Sequence, residues 1–281
     1  MAILSIRSPH RFKLIAVAGL LLLLVSAACG ASFSPESRLV DVGGHRLNIR
    51  CSGVGNPAVI LGSGLATDNH DWTPVEERVS EFTLVCSYDR AGLGESDASP
   101  GIPTIQTASD SLHSLLAGAG ITGPVVLVGH SYGGLVVQLF AAQHSEKTAG
   151  VVLVDSLQKD NLVSAAEILG DETMAVFMGA VRANPEGVDL AASLDQVRAA
   201  GNLGDVPLTV ITAGRPNLPP FIDKKIRDRL AGSWLDSQRD LVRLSSAGVQ
   251  VIAEESGHCV QCDQPRLVAD VILRVVERAR R

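Results

Sequence analysis

Apolar positions along this chain fall into two alternating kinds of stretch. Short runs rich in valine, isoleucine and leucine occur at residues 58–61, 82–87, 125–129, 151–154, 206–213 and 249–253. Longer stretches with helical spacing occupy residues 104–119, 132–144 and 265–281, the first with Thr104 placed as an N-cap and Gly120 as a stop. Two further segments, 38–42 and 45–51, flank Gly43-Gly44 and predict a β-hairpin. Runs with no polar alternation are what a strand covered on both faces requires. Strands that alternate with helices predict an α/β fold: a mostly parallel sheet with helices on both faces. The alternation lapses over residues 157–205, where helical pieces at 162–169, 172–181 and 190–200 are joined by glycine and proline. The expected core is therefore split into 38–156 and 206–281, with a helical insertion between.

The N-terminus follows a different pattern. Arg7, Arg11 and Lys13 precede an uncharged run of 15 residues from Leu14 to Ala28. A membrane span needs about 20 residues, so this run fits the apolar region of a secretory leader, residues 1–28. It ends in Val25-Ser26-Ala27-Ala28-Cys29, which resembles the lipobox of bacterial lipoproteins, with Ser26 where leucine is commoner. The resemblance implies lipidation of Cys29, an exported protein held at the outer face of the membrane, and a tether over 29–37. Plain cleavage near Ala28 or Ala31, giving a secreted protein, and an uncleaved anchor are the alternatives.

Composition narrows the classes. With 281 residues and 46% hydrophobic content the chain can bury one large core, and only 4% aromatic residues predicts packing by small aliphatics. The formal charge of −6 argues against a nucleic-acid partner. Loss of the leader leaves 21 basic against 30 acidic residues, a charge of −9. Such a body is repelled by an anionic membrane, so a lipid on Cys29 would have to supply the anchoring.

The chemistry centres on Val128-Gly129-His130-Ser131-Tyr132-Gly133-Gly134. A serine in Gly-x-Ser-x-Gly, after a buried-type strand and before a helix, reads as a nucleophile elbow. Its turn is too tight for a side chain at Gly129 or Gly133, and the helix N-terminus faces any developing oxyanion. The motif resembles that of the α/β-hydrolase superfamily. A second resemblance lies in Asp89-Arg90-Ala91-Gly92-Leu93-Gly94-Glu95-Ser96, similar to the family's Asp-Arg-x-Gly-x-Gly-x-Ser segment. There Asp89 and Arg90 are expected to bond local backbone rather than act in catalysis.

The family's order of serine, acid, histidine implies Ser131 as nucleophile and His258 as base, the latter in Ser256-Gly257-His258 past the last strand. The acid expected is Asp155, at the end of the sixth strand, where some members of the family supply it, with Asp223, and Asp236 or another carboxylate, as alternatives. The loop Gly62-Ser63-Gly64-Leu65 stands where the family carries His-Gly and an oxyanion donor. Ser63 replaces the histidine, and the donors implied are the N–H groups of Leu65 and Tyr132. The insertion at 157–205 falls where the family has a lid after strand six. Met174, Phe177 and Met178 would line an acyl pocket or pack inside that lid. Trp72 is expected to pack the oxyanion loop, His113 to be a surface or packed histidine, and His144, near a helix C-terminus, to favour the helix dipole rather than take part in chemistry.

Without Cys29, four cysteines remain, an even number suited to an oxidising compartment. Neighbouring second and fourth strands in the family's sheet would pair Cys51 with Cys86, and Cys259 with Cys262 would close a small loop. Four free thiols is the alternative.

The implied activity is hydrolysis of a carboxylic ester or related acyl bond on a small molecule, with no cofactor and no metal. Serine at the elbow argues against the dehalogenases and epoxide hydrolases of the fold, which use aspartate. Cofactor-free perhydrolysis (haloperoxidase-type) and a non-catalytic, ligand-binding surface lipoprotein remain the other classes.

Overall fold

The computed structural model describes residues 35–215, 218 and 222–281. The leader, Cys29 and most of the tether lie outside them. Eight strands form one sheet: β1 (Glu36–Asp41), β2 (Arg46–Ser52), β3 (Ala58–Gly62), β4 (Val85–Tyr88), β5 (Val125–His130), β6 (Thr148–Val154), β7 (Leu208–Ala213) and β8 (Gly248–Ala253). Their order is β1-β2-β4-β3-β5-β6-β7-β8, antiparallel at β1–β2 and β2–β4 and parallel from β4 to β8. This is the mostly parallel, eight-stranded α/β-hydrolase sheet that the resemblance implies.

The helices are α1 (Thr73–Val79), α2 (Ile105–Gly118), α3 (Tyr132–Gln143), α4 (Asn161–Leu169), α5 (Asp171–Arg182), α6 (Leu190–Ala200), α7 (Lys224–Val242), α8 (Val260–Asp263) and α9 (Pro265–Ala279). Successive strand residues serve opposite faces, as the pleat requires. Val125, Leu127, Val151 and Leu153 pack with α2, α3 and Leu241 of α7. Val126, Val128, Val152 and Val154 pack with α1 and α9. That two-sided burial is why these runs lack polar alternation. A third apolar cluster joins Tyr132, Leu135 and Leu139 on the outer side of α3 to Val181, Val188, Leu190 and Leu194 of the insertion. Met174 is buried, Met178 packs against this third cluster and Phe177 is exposed.

Several boundaries differ from the periodicity. Strand β4 starts at Val85 rather than 82, because Phe82 and Thr83 donate back to Val79 and close the end of α1. Strand β1 takes in Glu36 and Ser37, which pair with Cys51 and Arg50. Strand β7 begins after Pro207, which has no N–H to give to a ladder. Trp72 is fully buried in the α1–α9 layer. His113 stacks on His144, ring centroids 4.6 Å apart.

Cys51 and Cys86 face each other in the β2–β4 register and are disulfide-bonded, as are Cys259 and Cys262. The free-thiol alternative is therefore not what the structure contains.

Candidate active site

Ser131 is the residue between β5 and α3, at φ 50° and ψ −118°, a left-handed backbone that serine rarely adopts. The corner leaves no room beside it. A Cβ on Gly129 would come within 2.5 Å of the Gly133 carbonyl oxygen, and one on Gly133 would strike the carbonyls of Gly62 and Ser63. The elbow and the loop after β3 are thus pressed backbone to backbone. Ser131 N–H donates to Val154 O at 3.2 Å, tying the corner to β6.

Asp155 follows that same Val154. It lies at φ 39° and is 2% exposed. Its Oδ1 accepts from Ala213 N–H at 3.0 Å and from Trp234 Nε1–H at 2.9 Å. Its Oδ2 accepts from His258 Nδ1 at 2.7 Å. A carboxylate only accepts, so Nδ1 carries the proton and Nε2 is left as the basic nitrogen. The other candidate acids are elsewhere. Asp223 caps α7, accepting from the N–H groups of Lys225 and Ile226, and Asp236 pairs with exposed Arg239. Among the described residues Ser131 Oγ makes no hydrogen bond to His258, a contact that in unliganded enzymes commonly tightens only with substrate.

The His258 loop is held from several sides. Asp263 Oδ2 accepts from Gly257 N–H at 2.8 Å, and the Cys259–Cys262 disulfide follows immediately. His130 Nε2 donates to the His258 carbonyl at 2.9 Å, with the two rings 4.7 Å apart. Burial, and secondly the neighbouring His258, push the His130 pKa down to about 4, so this ring is neutral beside His258. Trp234 meets the His258 ring edge-on at 5.7 Å.

The N–H groups of Leu65 and Tyr132 donate to no protein acceptor among the described residues, while Ala66 N–H donates to Glu186 and Gly134 N–H to Ser131 O. Tyr132 N–H is the first of α3, where no intrahelical partner exists.

Asp89 is structural, accepting from Asn69 N–H, Asn48 Nδ2 and Glu95 N–H, and Asp97 pairs with Arg46. Arg90 departs from the expected local role: it reaches the carbonyls of Ser63 and Gly64 and pairs with Glu186 of the insertion. Beside that pair lies a cavity of about 340 Å³, lined by Tyr88, Ile102, Pro103, Tyr132 and Val188 but by neither Ser131 nor His258. Among the described residues no cluster of three or more His, Cys, Asp or Glu side chains is gathered as for a metal.

Trp234 and Glu186 are the site residues that sequence reasoning passed over. Trp234 had one available signal, being one of two tryptophans in the chain. Glu186, in an Asn-Pro-Glu-Gly turn, had none.

Such an arrangement can deprotonate a serine hydroxyl and hold a developing oxyanion. The comparisons agree with the fold. Residues 59–271 match the Alpha/beta hydrolase family, and the chain belongs to it. The protein YqjL of Bacillus subtilis (strain 168) is 23% identical over 211 residues, covering 75% of this chain and 79% of its own length. A thermophilic esterase from Thermogutta terrifontis superposes with a TM-score of 0.63 at 22% identity, over 88% of this chain and 99% of that one. An enol-lactonase from Burkholderia xenovorans gives 0.60 at 20% identity, over 85% and 100%.

Proposed function

We propose that this α/β-hydrolase-family protein is an exported serine hydrolase that cleaves a carboxylic ester or related acyl bond of a small molecule. The observation that carries the reading is the 2.7 Å bond from His258 Nδ1 to a buried carboxylate, with the His258 carbonyl bonded at 2.9 Å to His130, the residue before a strained Ser131 at the head of α3. Ser131 Oγ attacks the acyl carbon and His258 Nε2 takes its proton, while Asp155 holds the ring in that tautomer and stabilises the imidazolium. The N–H groups of Leu65 and Tyr132 receive the oxyanion. His258 then protonates the leaving alcohol, and water, activated by the same nitrogen, releases the acid. The helices inserted between β6 and β7 act as a lid over this chemistry.

Export is supported by the leader and the cysteine before residue 30, and by two disulfides, which belong to an oxidising compartment. Metabolic labelling with a fatty-acid probe, comparing wild type with Cys29→Ala, separates a lipid anchor from plain secretion.

The activity is tested by labelling the leaderless protein with a fluorophosphonate probe beside Ser131→Ala, then measuring p-nitrophenyl esters of increasing chain length. Labelling lost in the variant is expected. A folded wild type that neither labels nor turns over esters would reject the reading, and peracid formation from hydrogen peroxide would redirect it to perhydrolysis.

A further inference from the structure

The side chain of Arg90 is 4% exposed and bonds to three residues. Its Nε and Nη2 donate in a fork to Glu186 Oε2 and Oε1, both at 2.8 Å. Its Nη1 donates to Ser63 O at 2.6 Å and its Nη2 to Gly64 O at 2.5 Å. Glu186 Oε1 accepts in addition from Ala66 N–H at 2.7 Å, at a residue held at φ 59°. The pair therefore grips the backbone at residues 63, 64 and 66 and leaves the Leu65 N–H between them without a partner.

We propose that the Arg90–Glu186 ion pair is the positioning device of the oxyanion hole, and that it couples the hole to the seating of the insertion that carries Glu186. The Gly64 carbonyl and the Leu65 N–H belong to one planar peptide and point in opposite directions. The same oxygen accepts longer bonds from Thr67 N–H at 3.4 Å and Thr67 Oγ1 at 3.3 Å, so the short bond from the Arg90 cation is the strongest of three that set which way the N–H points. It opposes a flip of that peptide and polarises the N–H into a stronger donor. The same guanidinium lies 5.2 Å from the ring centroid of Tyr132, whose N–H is the second donor. Buried ion pairs contribute little net stability compared with apolar side chains of like size, so stability alone gives weak reason for this one. Glu186 aims Arg90 and offsets the burial that opposes its charge.

The inference rests on the serine-hydrolase reading, and the experiment separates the two. Wild type, Glu186→Gln and Arg90→Lys are assayed for ester kcat and KM, for thermal midpoint, and for affinity to a trifluoromethyl ketone, whose serine adduct places an oxyanion in the hole. Removing a whole donor costs about 100- to 1,000-fold in kcat, so a displaced one is expected to cost about 10- to 100-fold. KM should stay within about threefold, and ketone affinity should fall in parallel with kcat/KM. Replacing Leu65 by its α-hydroxy acid deletes the N–H, and in that background Arg90→Lys should cost nothing further. Folded variants with kcat near wild type, losses confined to KM, or additive losses in the Leu65 background would each overturn the proposal. Should Arg90→Lys unfold, Glu186→Gln decides it alone, since it keeps the shape. A wild type without esterase activity overturns the underlying reading and this one with it.

Discussion

Replacing Asp155 by asparagine tests the core of the mechanism, because the surrounding donors dictate how the amide must sit. Both donors to Oδ1, Ala213 N–H and Trp234 Nε1–H, are fixed by the sheet and by α7. The asparagine oxygen must stay in that place, or two buried donors lose their acceptor. Its NH2 group then occupies the Oδ2 position, facing His258 Nδ1, where the carboxylate had accepted at 2.7 Å. Two donors cannot face each other, so the imidazole shifts its proton to Nε2 and can no longer take one from Ser131. The equivalent change in the best-studied serine protease lowers kcat about 10⁴-fold, or about 5 kcal/mol of barrier. We expect that magnitude for Asp155→Asn, with the thermal midpoint little changed because shape and the Oδ1 bonds persist. Asp223→Asn, which keeps an acceptor at the α7 cap, should retain kcat within about twofold. The assay is steady-state hydrolysis of an activated ester with titrated active sites. A loss under tenfold in folded Asp155→Asn, or a large one in Asp223→Asn, would refute the assignment.

Other changes have equally definite outcomes. Trp234→Phe keeps the ring but deletes a donor to a buried carboxylate, and should lower stability in urea by about 1.5–3 kcal/mol; an unchanged midpoint would count against that bond. His130 is neutral in the fold with its pKa near 4, against 6.5 when unfolded. Its contribution is thus complete above pH 6.5 and lost as pH falls towards 4, about 3 kcal/mol in all. His130→Gln should flatten the stability–pH curve in that window, and parallel curves would refute the burial argument. The Cys51–Cys86 bridge closes a separation of 35 residues. Chain-entropy reasoning gives about 4 kcal/mol for a loop of that size. The double alanine variant should show it in denaturant, while intact mass of the native protein should reveal both bridges.

How much of this was readable beforehand follows from the range of each interaction. The elbow was legible because every requirement on it is local. A strand buried on both faces must be apolar throughout, the corner must be small, and the helix must start at once, so Val125 to Gly134 spell out their own conformation. The expected fold followed from repeating that logic along the chain. The charged helix α7 left little trace, since only Ser237, Gln238 and Leu241 on it are buried. The carboxylate that bonds His258 illustrates a different limit. Three aspartates stood at plausible places, and what distinguishes Asp155 is that β6, β7 and β8 lie side by side. That order brings a strand end within reach of a loop 103 residues later.

The Arg90–Glu186 pair marks the far end of that scale. Arg90 stands in a recognisable motif whose glycines and Asp89 behave as local turn chemistry predicts, yet its own side chain crosses to the loop after β3 and to a residue 96 positions on. No periodicity connects those three segments. What connects them is the crowding at the corner: Gly133 packs its backbone directly onto Gly62 and Ser63, and the Ser63 carbonyl takes its donor from Arg90 on another side, while Gly64 O shares Arg90 with Thr67. A long, forked, permanently charged side chain suits two adjacent carbonyls there, and once buried it requires a carboxylate. The insertion supplies it. Through Arg90 and Glu186 the insertion is thus a structural partner of the loop after β3.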